Sequence, residues 1–69
     1  MEDQIATRRD EAAELATVRK GLGVSPEAVA GALGISTRTL MRYETRKIPP
    51  KRIMLKAWRD VLARHRRTA

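Results

Sequence analysis

Arg38 and Arg42 lie four positions apart. On a helix that is about one turn, so both guanidinium groups would leave the same side. A guanidinium is a planar fork of donors that fits O6 and N7 of guanine in the major groove. One bidentate contact of that kind is worth about 1–3 kcal/mol of discrimination between bases. The same arginines could instead only neutralise phosphate. Thr37 could meet a phosphate or a thymine methyl group, and Met41 could touch bases or simply be solvated. Thr39 is open to a phosphate contact or a capping role, and Tyr43 to a phosphate contact or the buried face. Arg46, Lys47, Lys51 and Arg52 follow closely. They are cations suited to positioning a polyanion without reading it.

The charge distribution sharpens that expectation. The chain has 69 residues and a formal net charge of +7. Residues 1–34 hold four basic and six acidic side chains, a net of −2. Residues 35–69 hold eleven basic and two acidic ones, a net of +9. A field this one-sided suits a polyanion such as nucleic acid. A basic tail kept for solubility, or an anionic membrane surface, would use the same charges.

Positioning these groups requires helices. Ser25-Pro26-Glu27 reads as a helix start, with serine as the N-cap, proline at the first helical position and glutamate in the first turn. That helix runs to Leu33, with Val29 and Leu33 inward and the small Ala30 allowing close approach of a second helix. Gly34 stops it where a left-handed residue is wanted. Ser36 is the next N-cap, and the following helix, to Glu44, buries Leu40. Before this unit, a helix from about Arg8, or as early as Asp3, to Lys20 carries Leu15, Val18 and Leu22 on one face, with Ala12 a turn earlier. Residues 1–7 are expected to be flexible. After it, Pro49 and Pro50 enforce a loop. A last helix over 51–66 shows the apolar pairs Ile53/Met54, Ala57/Trp58 and Val61/Leu62 at a spacing of four. No period-two alternation predicts a strand. The expectation is one all-α domain over residues 1–69, a compact four-helix arrangement.

Two helices joined by a glycine turn, the second of them capped, form the helix-turn-helix unit. Val29-Ala30, then Gly34, Leu40, Tyr43-Glu44 and Pro50 fall in a pattern that resembles the Cro/repressor-type helix-turn-helix family, the lambda-repressor-like, XRE-type domains. The resemblance covers about Leu15 to Pro50. It implies a DNA-binding transcription regulator, a repressor or autorepressor, with helix 36–44 in the major groove of double-stranded DNA. It implies base contacts from Thr37, Arg38, Met41 and Arg42. It also implies a structural pair between Arg19 and Glu44, beside Ala30, Gly34 and Leu40. The pattern departs at Pro26, which replaces a glutamine that touches phosphate in relatives. Positioning then shifts to the basic loop and the start of the last helix. Many relatives have a fifth helix where this chain ends, which makes the last helix a candidate dimer contact through Met54, Trp58, Val61 and Leu62. Trp58 could equally be a core anchor. Small phage-type regulators have this size.

Other chemistry finds little support. There is no cysteine, and the one histidine, His65, cannot build a metal site alone. No acid pair has a partner base and no glycine-rich phosphate loop occurs. Neither an enzyme, a cofactor nor a small-molecule ligand is expected. No apolar run is long enough to span a membrane. The acidic, polar start MEDQIATRRDEAAEL is unlike a signal peptide, so the expected location is the cytoplasm. A single module reads too few bases for high specificity, which favours a homodimer on a palindromic operator. Two alternatives remain: an antitoxin-like or other protein-interaction module, and a nonspecific nucleic-acid-binding basic protein.

Overall fold

The computed structural model describes residues 2–68, and the side chains of residues 4–67. Four helices follow in order: α1 (Glu2–Gly21), α2 (Pro26–Leu33), α3 (Thr37–Glu44) and α4 (Arg52–Thr68). No strand occurs among the described residues. α1 and α2 each pack against both α3 and α4. The all-α, four-helix expectation is met.

The boundaries of α2 and α3 follow from their caps. The Ser25 side chain accepts a hydrogen bond from the Ala28 backbone N–H at 3.1 Å. Ser36 accepts from the Thr39 N–H at 3.1 Å. Each satisfies a donor that the first helical turn leaves unpaired. At the other end of α2, Gly34 takes φ 72°, and its N–H and that of Ile35 bond back to the Gly31 and Ala30 carbonyls. That closure turns the chain sharply enough to lay α3 across α2.

α1 extends beyond its expected start. It begins at Glu2, one residue before the earliest expected start at Asp3; Met1 lies outside the described residues. Its most buried line is Ala12, Ala16 and Arg19, while Leu15, Val18 and Leu22 are half-buried at its flanks. Small side chains at the centre let the neighbouring helices approach closely, so the larger ones wedge the sides of the contact.

α4 corrects the apolar stripe. Ile53, expected inward, is 76% exposed. Leu55, outside the expected pairs, is buried together with Trp58, Val61 and Leu62. The cause is geometric. Residues four apart advance by about 40° on a helix of about 100° per residue, so pairs repeated every four drift around it. Counting back from Trp58 in threes reaches Leu55, whereas Ile53 falls on the far side. Trp58 is the largest side chain of the core and 0% exposed. Its indole N–H has no acceptor among the described residues. An unmatched buried donor costs about 1–3 kcal/mol, so apolar area, and not hydrogen bonding, anchors this residue.

Candidate nucleic-acid interface

α3 carries the basic residues singled out above, and its orientation is set from behind. Leu40 is fully buried in the core cluster that also holds Val29 and Trp58, and Glu44 one turn later is buried too. Arg19 of α1 meets Glu44 through two of its three guanidinium nitrogens, Nε to Oε2 at 2.6 Å and Nη2 to Oε1 at 2.9 Å. The remaining nitrogen donates to the Val24 carbonyl at 2.8 Å. The hydrogen bonds that Arg19 donates to Glu44 raise the Arg19 pKa above its ordinary value, against the lowering effect of burial. The pair ties α1, the α1–α2 turn and the end of α3 into one unit. Its contribution is orientation more than net stability, because desolvation offsets most of the attraction.

With that side held, helical geometry fixes the other. Arg38 and Arg42 lie opposite Leu40 and Glu44 around α3 and are exposed. Met41, 39% exposed, and Thr45 sit within the same arc. Arg38, Met41, Arg42, Thr45 and Lys47 line one shallow recess of about 290 Å³. No carboxylate enters it. Arg38, Arg42 and Lys47 make no ion pair among the described residues. The recess is cationic and free of carboxylates, which suits it chemically to an anion, with Met41 as an apolar surface beside the two arginines.

Lys47 reaches this recess through the backbone. The Lys47 N–H bonds to the Arg42 carbonyl at 2.9 Å and the Arg46 N–H to the Tyr43 carbonyl at 3.2 Å. This is the closure that ends α2, but here the left-handed residue is Arg46, at φ 65°. An L side chain in that conformation is held at a cost of about 1–2 kcal/mol. The Arg46 side chain lies 3.6 Å from Asp10, with both well exposed, a contact that adds little stability.

The other residues named from sequence separate into groups. Thr37 is half-exposed and lies about 100° around α3 from Arg38, outside the recess. Thr39 serves the cap, where its Oγ1 accepts from the Ser36 hydroxyl at 2.9 Å. Tyr43 is half-buried against the core. Lys51 and Arg52 are exposed at the start of α4. Of Met54, Trp58, Val61 and Leu62, the last three are buried within a single chain, leaving only Met54 partly exposed. Trp58 is fully enclosed, whereas Val61 and Leu62, though buried, line shallow recesses on the surface. Thr45 was not picked out from the sequence, although it stands seven residues after Arg38, two turns along the same side. Its hydroxyl donates to the Met41 carbonyl at 2.8 Å, which closes the C-terminal end of α3.

Among the described residues no group of histidine and carboxylate side chains could hold a metal ion. Among the described residues no helix is long and apolar enough to cross a membrane. A family model described as a helix-turn-helix domain matches residues 10–68. Neither the curated proteins nor the solved structures gave a match.

Proposed function

Because the chain belongs to the helix-turn-helix domain family, we propose that it is a sequence-specific transcription regulator, a repressor, that lays residues 36–44 in the major groove of a palindromic operator. The observation that supports this most is the recess on the outer side of α3, where Arg38, Arg42 and Lys47 converge around Met41 without a carboxylate. Arg38 and Arg42 read base edges, with Met41 between them. Thr37, at the entrance of the helix, meets the adjoining backbone or base edge. Arg46, Lys47, Lys51 and Arg52 hold phosphates on either side, with Thr39 and Tyr43 at the margin of that contact. Such a regulator works in the cytoplasm and without a catalytic step.

Specificity argues for two copies. One module of this size contacts few bases, and two related by a two-fold axis read half-sites about 34 Å apart. With Trp58, Val61 and Leu62 inside the chain, the apolar surface left on α4 for a second copy is Ile53 with the partly exposed Met54. Sedimentation of wild type and Ile53→Ser at micromolar concentration tests this. A dimer that Ile53→Ser converts to monomer supports it, and a wild-type monomer on DNA removes the two-fold part.

Base reading is tested by fluorescence anisotropy on a bound duplex and its single-base variants at several salt concentrations. Arg42→Ala should lose about 1–3 kcal/mol, concentrated at one base pair of the half-site. Lys47→Ala should weaken all sequences alike and flatten the salt slope by about one unit. If Arg42→Ala also weakens all sequences alike, the chain is a nonspecific nucleic-acid binder.

A further inference from the structure

A second basic concavity shares no residue with the recess on α3. The N-terminal half of α1 and the first turns of α4 flank an open hollow of about 440 Å³, with Gln4, Thr7, Arg8 and Glu11 on one wall and Arg52, Leu55 and Arg59 on the other. That volume is within the range of small-molecule sites, roughly 300–1,000 Å³. Glu11 and Arg59 bond to each other across the hollow, so they cancel in charge and fix its far end. Arg8 spends only its Nε on the Gln4 carbonyl, at 3.3 Å, leaving the terminal nitrogens of its fork. Arg52 makes no ion pair among the described residues. Three guanidinium groups against one carboxylate leave the hollow with a charge of +2. Leu55, buried, gives an apolar floor, and the Thr7 hydroxyl adds a neutral donor.

Arginine forks recognise the oxygens of phosphate in pairs, and a lone hydroxyl completes such a shell. We propose that this hollow binds the phosphate group of a small anionic ligand, nucleotide-sized or smaller, through Arg8 and Arg52, with Arg59 oriented by Glu11. The aliphatic stems of the arginines flank the uncharged part of the ligand. The binding itself is independent of the DNA reading. A coupling between the two rests on that reading, because Arg52 is also assigned to the DNA backbone. A ligand that occupies Arg52 removes a phosphate contact from the operator complex, so ligand and DNA each weaken the other.

Calorimetric titration of the full chain without DNA tests the site, using inorganic phosphate and adenosine monophosphate against chloride at matched ionic strength. The expected result is saturable one-to-one binding of at least one probe, weakened at least tenfold in Arg8→Ala and in Arg52→Ala and unchanged in Arg38→Ala. Thermal melting of each variant confirms that it folds, and the two hollow variants stand in for one another if one does not. A second arm measures the salt dependence of duplex binding by Arg8→Ala. An unchanged slope is expected. If neither probe binds and the Arg8→Ala slope flattens by about one unit, the phosphate held there belongs to the DNA backbone and the small-ligand site is overturned. Equal binding of the probes by wild type and both hollow variants, or no effect in either arm, also overturns it.

Discussion

The two sides of α3 are built from the same eight residues and do opposite things. On the inner side, Leu40 is fully covered and Glu44 holds two guanidinium nitrogens of Arg19. On the outer side, Arg38 and Arg42 are exposed and make no ion pair among the described residues. A charged group on the inner side is useful because its partner is fixed. A charged group on the outer side, in the reading proposed above, is useful because it is left for a partner to meet. Orientation and recognition can therefore be damaged separately, and the following substitutions test that separation.

The largest effect should come from breaking the buried pair. Arg19→Ala or Glu44→Ala leaves one charge buried and unmatched, a loss of about 3–5 kcal/mol in urea unfolding. That is a large part of the total for a domain of this size. The double variant Arg19→Met with Glu44→Leu should recover to within about 1 kcal/mol of wild type or exceed it. It should still bind DNA less selectively, because an apolar pair packs α3 without fixing its angle. A double variant as unstable as the single ones would show that the pair contributes stability and not orientation. Leu40→Ala should cost about 2–5 kcal/mol by the same unfolding measurement, through lost burial and a cavity beside Trp58.

The outer side should behave in the reverse way. Arg42→Ala is expected to leave unfolding free energy within about 0.5 kcal/mol of wild type while changing DNA selectivity. A substantially lower melting temperature would mean that Arg42 belongs to the fold. Arg46→Gly lies between the two sides. Relief of the left-handed conformation should stabilise the protein by about 1 kcal/mol, while the lost cation weakens DNA binding at low salt. A destabilised Arg46→Gly would show that the Asp10 contact outweighs the backbone strain.

The two sides also differ in how legible they are in the sequence. α2, its turn and the start of α3 are written in local chemistry: Ser25 and Ser36 as caps, Pro26 at the first helical position, Gly34 at φ 72°. Each acts within four residues, so the boundaries agree with the structure. The Arg19–Glu44 pair spans 25 positions, and no local spacing announces it; only the family resemblance pointed to it. Ile53 and Leu55 were misassigned because a four-residue count drifts around the helix and the true inward direction is set by α1 and α2. The sequence marks Arg46 only as a loop cation. Its left-handed backbone went unseen because arginine has no preference for that conformation, and the closure onto Arg42 imposes it. Arg38 and Arg42 were correctly expected to leave one side of a helix. Their convergence with Lys47 depends on that same closure and was not visible beforehand.

The base-reading role of α3 is tested most directly by selecting duplexes from a random pool with wild type and with Arg42→Ala in parallel. The wild type should enrich one recurrent sequence with two-fold symmetry. Arg42→Ala should enrich the same sequence with a single position of each half-site relaxed. No enrichment by the wild type, or an identical sequence from both proteins, would contradict a base-reading role for the outer side of α3.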